Sequence, residues 1–224
     1  MTTILHIDSS ARKRRSISRA LAKEFTTQWH AKYPNDQFIY RDIGNKPPKF
    51  ISENWIAAVF TSEDKRTARQ NSILALSDML IEELAKADII LISTPMYNYG
   101  MPASLKAWVD QGIRVNKTFT FDLSRGDSPL EPTMSGKTLV LLTSSGEFGF
   151  DVGGVREDMN HLGPHFRAIS KYLGVDRQHE IRVEYQEFGD SRHEQSLENA
   201  YLTIPEIIKQ MAGEIAQVRH RVMS

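Results

Sequence analysis

Three short stretches of this chain carry side chains whose types and spacing could do chemistry. The first is Asp8-Ser9-Ser10-Ala11-Arg12-Lys13-Arg14-Arg15-Ser16-Ile17-Ser18. Its hydroxyls stand just before a helical pattern. Ser16 or Ser18 can cap that helix, and the free first-turn amides and positive dipole end suit a phosphate. Neither GxGxxG nor the Walker pattern occurs there, so a hydroxyl-lined loop is the remaining way to hold one. The second stretch, Thr94-Pro95-Met96-Tyr97-Asn98-Tyr99-Gly100-Met101-Pro102, sets two aromatics and an amide in a loop bounded by Pro and Gly. That is a seat for a flat aromatic ligand. The third, Thr143-Ser144-Ser145-Gly146-Glu147, is small and polar and suits the polar edge of such a ring. Together they describe a mononucleotide with an aromatic head.

Other chemistries find less support. Lys plus Arg and Asp plus Glu both total 28, so no bulk field favours nucleic acid or an anionic membrane. The Arg12-Lys13-Arg14-Arg15 run alone is a weak nucleic-acid patch, and its plain reading is a solvated face beside helix-capping serines. The absence of cysteine excludes disulfides, thiolate nucleophiles and thiolate metal sites. His161 and His165 lie four apart and could share a helix face, as metal ligands do. No HExxH and no acidic third ligand at matching spacing accompanies them, so core or solvent histidines are expected. Asp8 lacks a DxD pattern, and no GxSxG elbow supports a serine nucleophile. The opening MTTILHIDSSARKRRS has no long apolar segment of the signal-peptide kind. No stretch reaches the roughly 18 apolar residues of a membrane span, so a cytoplasmic protein is expected.

The elements that must position these stretches follow from periodicity. Residues 3–7 are β-rich, and Leu21, Phe25 and Trp29 then recur at four-residue spacing, as in a helix. A second strand over 37–42 ends before Asn45-Lys46-Pro47-Pro48. A short helix over 53–60 and a polar excursion over 61–70 lead to a helix over 71–86, with Ile73, Leu76, Leu80, Ile81 and Leu84 as its core stripe. The apolar run 89–92 reads as a buried strand, followed by an amphipathic helix carrying Leu105, Trp108 and Val109. Residues 112–127 read as loop, 137–143 as a fourth buried strand and 179–184 as a fifth. A helix over 160–173 has Pro164 in its first turn and Gly174 as its stop. The last helix, 194–222, should break or kink at Pro205. Helices between strands force parallel pairing with right-handed crossovers. The expected fold is therefore α/β: one domain over 1–224, a flavodoxin-like doubly wound five-stranded parallel sheet in order 2-1-3-4-5, with helices on both faces. Its switch point, between the first and third strands, brings the serine loop and the Met96–Gly100 loop together, with the Ser144–Gly146 turn next along the edge.

The Ser10…Ser16-Ile17-Ser18 loop, Thr94-Pro95-Met96-Tyr97-Asn98-Tyr99 and Thr143-Ser144-Ser145-Gly146 resemble those of the FMN-dependent NADH-azoreductases, also called FMN-dependent NADH:quinone oxidoreductases. These are flavodoxin-like homodimers. The resemblance covers nearly the whole chain and is strongest in Pro95-Met96-Tyr97-Asn98 and the helix ending Trp108-Val109-Asp110. It implies that Ser10, Ser16, Ile17 and Ser18 hold the FMN phosphate, and that Met96, Tyr97, Asn98 and Tyr99 line the isoalloxazine. Ser144, Ser145, Gly146 and Glu147 would contact its pyrimidine end, and Phe121 and Tyr172 would lie over the substrate pocket. Two departures stand out. Members often have Arg-Gly-Gly after the Ser of the turn, where this chain has Ser145-Gly146-Glu147. A carboxylate is a poor partner for an anionic reduced flavin, so Glu147 is expected to point away. Residues 148–160 are also long and glycine-rich, which leaves the pocket roof unassigned.

The implied activity passes hydride from NADH or NADPH through FMN to quinones or azo compounds, in ping-pong fashion, with no catalytic side chain required. The competing reading is a flavodoxin-type electron carrier without nicotinamide chemistry. Such carriers are usually shorter and markedly acidic, whereas this chain has 224 residues and no formal net charge.

Overall fold

A computed structural model describes residues 1–223, with side chains described as far as 215. The first apolar run forms β1 (Thr3–Asp8), and the serine loop leads into α1 (Ile17–Lys32). Next come β2 (Gln37–Asp42), α2 (Glu53–Phe60), α3 (Ala68–Lys86), β3 (Ile89–Pro95) and α4 (Ala103–Gly112). A ribbon of β4 (Phe119–Phe121) and β5 (Leu130–Pro132) precedes β6 (Lys137–Ser144), α5 (Gly163–Ile169), β7 (Val175–Val183) and α6 (Ser191–Met223). Five strands pair in parallel in the order β2-β1-β3-β6-β7, which is the expected 2-1-3-4-5 arrangement once the ribbon is set aside.

Successive strand residues point to opposite faces, and both faces are covered. Ile4, Leu91 and Val140 pack with Leu21, Phe25 and Trp29 of α1 and Ile204 and Ile208 of α6. Leu5, Ile90 and Leu139 pack with Leu80 and Leu84 of α3, Trp108 of α4 and Phe166 of α5. β3 and β6 are buried on both faces, which is why their sequences run apolar without alternation. The crossover from β1 leads to β2 on one side, and the connection from β3 leads to β6 on the other. The carboxyl ends of β1 and β3 therefore diverge into a crevice. Among the described residues no helix is long and apolar enough to cross a membrane.

Several boundaries differ from those expected. α3 begins at Ala68 because Thr67 and Gln70 form a reciprocal capping box, whose polar residues read as loop. β7 starts at Val175, straight after Gly174 in its left-handed turn. It is an edge strand studded with charge, which blurs its alternation. The helix expected over 160–173 is α5 followed by a 3-10 turn at Ser170–Leu173. Phe119 and Phe121 belong to the β4–β5 ribbon and not to a loop. α6 runs unbroken through Pro205.

Candidate functional site

The serine loop is pinned at both ends. Ser9 donates its amide and its hydroxyl to the Ser93 carbonyl, at 2.9 and 3.1 Å. At the other end Ser16 caps α1, its Oγ accepting from the Arg19 amide at 3.4 Å, and the first intrahelical bond runs from Ala20 to the Ser16 carbonyl. The amides of Ile17 and Ser18 therefore have no acceptor inside the helix and lie at its positive end. In between, Arg19 grips the Ser10 carbonyl through Nη2 at 2.7 Å and Nε at 3.3 Å. The same guanidinium donates to Asp8 at 3.1 Å and to Asp42 at 2.5 Å. Asp8 also accepts from Tyr40 at 2.8 Å and Ser93 at 2.5 Å, and meets His6 at 3.0 Å. Burial pushes the Asp8 carboxyl up, but its bonds to His6, Ser93 and Tyr40 outweigh that and hold it below the usual range. The Tyr40 phenol is pushed up to about 12, by burial and then by its bond to Asp8. Asp8 is thus a structural anchor for the loop.

The aromatic loop is a tight turn. Tyr97 and Gly100 exchange amide-to-carbonyl bonds of 2.9 and 3.0 Å, with Asn98 at φ 47° and Tyr99 at φ 64° between them. Two left-handed central residues make this a type I′ turn, which asparagine tolerates and tyrosine adopts under strain. Tyr99 is held there by three neighbours. Its hydroxyl donates to Glu147 Oε2 at 2.9 Å, its carbonyl accepts from the His161 amide at 2.8 Å, and its ring lies 6.3 Å from that of Phe150. Glu147 in turn accepts from Arg156 Nε at 3.1 Å, and Arg156 lies 4.6 Å over the Phe148 ring. The Glu147 carboxylate is therefore bound sideways and compensated, and its presence raises the Tyr99 phenol.

The third stretch is held by the loop after β7. Ser145 donates to Val183 at 2.9 Å, while Tyr185, Gln186 and Glu187 donate to the carbonyls of Glu147, Ser145 and Gly146 at 3.2, 3.2 and 3.1 Å.

These pieces enclose two adjoining hollows. One, of about 220 Å³, is lined by Ser10, Arg12, Arg15, Ser16 and Ile17 at one end and by Pro95, Met96, Tyr97, Ser144 and Gly146 at the other. The second, of about 280 Å³, is lined by Asn98, Tyr99, Ser145, Glu147 and Phe150. Met96, Gly146 and Glu187 border both. Of the residues expected to hold the cofactor, only Ser18 is missing from these walls. The helix turn points it inward, fully buried, with its Oγ 3.4 Å from that of Ser16, so it has only its amide to offer. A larger hollow of about 570 Å³ beside β2, bordered by Tyr40, Pro47 and Leu80, lies off the switch point.

Phe121 and Tyr172 line neither hollow of their own chain. The ribbon carries Phe121 outward, 53% exposed, and the Tyr172 ring is engaged with Phe119 at 5.4 Å. His161 precedes α5, so it shares no helix face with His165. Burial, and then Lys106, hold the half-buried His165 ring below its ordinary pKa. Sequence reasoning missed Arg12 and Arg15 as crevice residues, and also Arg156, Gln186 and Glu187. The two arginines were flagged by their place between Ser10 and Ser16. Gln186 and Glu187 were flagged only by following a strand's carboxyl end. Nothing local marks Arg156.

The arrangement suits FMN. Free amides, hydroxyls and two guanidiniums gather at one end for a phosphate, and an aromatic turn and a polar turn form the other end. The family model described as flavodoxin-like fold matches residues 2–207, so the chain is a flavodoxin-like protein. It is 58% identical over 218 residues to FMN-dependent NADH:quinone oxidoreductase 2 of Colwellia psychrerythraea, covering 94% of this chain and 100% of that one. It is 59% identical over 207 residues to the protein of the same name from Idiomarina loihiensis, covering 89% and 86%. The chain belongs to the family of FMN-dependent NADH:quinone oxidoreductases. Among solved structures, an azoreductase from Bacillus anthracis shares the fold with a TM-score of 0.83 at 17% identity, covering 94% of this chain and 100% of that one. An FMN-dependent NADH-azoreductase of that species in complex with FMN gives 0.81 at 17%, covering 95% and 100%.

Proposed function

We propose that the whole chain acts as one FMN-binding unit that takes hydride from NADH or NADPH and delivers it to quinones and azo compounds. The single observation carrying this reading is the switch-point crevice, with phosphate-type donors at one end and a strained aromatic turn at the other. Bound FMN supplies the hydride chemistry. The chain's residues supply placement. Ser10, Ser16, Arg12, Arg15 and the amides of Ile17 and Ser18 hold the phosphate. Met96, Tyr97, Asn98 and Tyr99 seat the ring, and Ser144, Ser145 and Gly146 meet its polar edge. The Tyr99–Glu147–Arg156 chain of contacts keeps that seat in its left-handed turn, so little reorganisation is needed on binding. Nicotinamide and acceptor then use the same open side of the crevice in turn, which gives ping-pong kinetics.

The protein acts as a homodimer in this reading. Phe121 stands on an exposed ribbon that does not reach its own crevice, as a residue serving a second copy would. Phe60 is also exposed, at the end of α2, just before the turn whose Glu63 pairs with Lys117 at the ribbon's base at 2.7 Å. A cytoplasmic setting fits both NADH as donor and the lack of cysteine. The test is direct. Purified protein should be yellow and release FMN on denaturation, and NADH should bleach the bound flavin under anaerobic conditions. Full NADH:quinone turnover by flavin-stripped protein would sink the reading. A flavin that NADH leaves oxidised would point to an electron carrier.

A further inference from the structure

We propose that Glu187 sets the reduction potential of FMN in this crevice, by holding a negative charge with no ion-pair partner against the polar end of the ring seat. The inference rests on the FMN reading above. Glu187 follows β7 in a loop that Tyr185 (φ 62°) and Gly189 (φ 58°) fold back on itself. The three amide bonds from Tyr185, Gln186 and Glu187 fasten that loop onto the Ser145–Glu147 turn, so the Glu187 backbone is fixed relative to the seat. Its side chain lies across Gly146. A Cβ at Gly146 would come within 2.6 Å of the Glu187 carboxyl carbon and 2.7 Å of Oε1. Any side chain at position 146 would push this carboxylate, which borders both hollows, aside.

The neighbouring carboxylates differ in one respect. Glu147 is compensated by Arg156 and bonded by Tyr99. Glu184 accepts from the Gly149 and Phe150 amides, and Arg182 lies 3.8 Å away. Glu187 has no ion pair and no side-chain hydrogen bond among the described residues, and its charge reaches Tyr99. Reduction adds negative charge to the ring, and a negative charge beside it opposes that, the more so once a bound cofactor displaces water from the crevice. Glu187 therefore keeps the reduced cofactor a stronger donor to its acceptor.

The experiment measures the two-electron potential of FMN-loaded wild type, Glu187→Gln and Glu187→Lys by anaerobic equilibration with a reference dye, alongside the FMN dissociation constant of each. The potential should rise from Glu to Gln to Lys. The first step should favour reduced over oxidised FMN about tenfold, equivalent to about 30 mV for a two-electron couple. Glu194→Gln, on the exposed start of α6, should leave it unchanged. Potentials that are the same in all proteins, with FMN bound to each, overturn the role of Glu187. Failure of wild type to bind FMN overturns the cofactor reading instead.

Discussion

Gly44→Ala tests how the proposed phosphate end of the crevice is shaped. Gly44 is not in the left-handed region, so its backbone torsion would accept alanine. Space is the obstacle. A Cβ there would lie 2.1 Å from the Ser10 carbonyl oxygen, 2.6 Å from its carbon and 2.9 Å from Arg19 Nη2. The first two are backbone atoms of the serine loop, which must move by more than an ångström because Gly44 is itself tied to the Asp8 carbonyl at 3.0 Å. Overpacking of this kind costs about 1–3 kcal/mol. The displaced Ser10 carbonyl also gives up its 2.7 Å bond to the Arg19 guanidinium, worth about 1.5–3 kcal/mol for a charged donor. A loss of about 2.5–6 kcal/mol is expected, a large part of the roughly 5–15 kcal/mol that holds a domain folded. The displaced loop also carries Ser10 and Arg12 with it, so FMN binding should weaken at least tenfold. Urea unfolding of stripped protein reads the first effect, and titration of flavin fluorescence reads the second. Gly112→Ala, where the added Cβ meets nothing within 4 Å, should be neutral or slightly stabilising. If Gly44→Ala unfolds within about 0.5 kcal/mol of wild type and binds FMN as well, the close approach does not shape the loop.

Four further outcomes are expected. Asn98→Ala should weaken FMN retention or flavin reduction more than Met96→Leu, because it removes an amide and places alanine at φ 47°; Asn98→Gly, which accepts that torsion, separates the two causes. Arg12→Ala and Arg15→Ala should each weaken FMN binding by roughly 10- to 100-fold, as loss of a charged hydrogen bond implies, while leaving riboflavin, which has no phosphate, unaffected. Asp8 has a folded pKa below its ordinary value of 3.8. Its contribution is therefore present above that value and lost as pH falls through the depressed one. Asp8→Asn should be less stable than wild type at pH 7 yet lose less on acidification, as denaturant melts across a pH series would read; parallel losses would count against the anchor role. Phe121→Ser should impair quinone turnover without changing FMN affinity, and equal turnover would remove Phe121 from the acceptor pocket.

The apolar runs of β1, β3 and β6, with helical stripes between them, required a parallel doubly wound sheet with both faces covered. That topology alone brings the carboxyl ends of β1 and β3 together. The serine loop, the Tyr97–Asn98–Tyr99 turn and the Ser144–Glu147 turn were legible for the same reason, since each directly follows a buried strand. Local patterns served less well where polarity hid structure, as in the Thr67–Gln70 cap of α3 and the charged edge strand β7. Ser18 shows the limit within a single helix: its type suits a phosphate, but the turn of α1 points its side chain into the core. Only the tertiary structure decided what stands against what. Gly44 meets Ser10, Arg156 compensates Glu147, and Glu187 lies across Gly146, joining residues 34, 9 and 41 positions apart. No periodicity or propensity encodes such pairs, because each depends on how separate loops are carried to one edge of the sheet. The chain's own residues thus specified that a crevice would form at the carboxyl ends of β1 and β3, and which loops would border it. Packing between loops decided its charge, its clearance and which groups remain free to act on the cofactor.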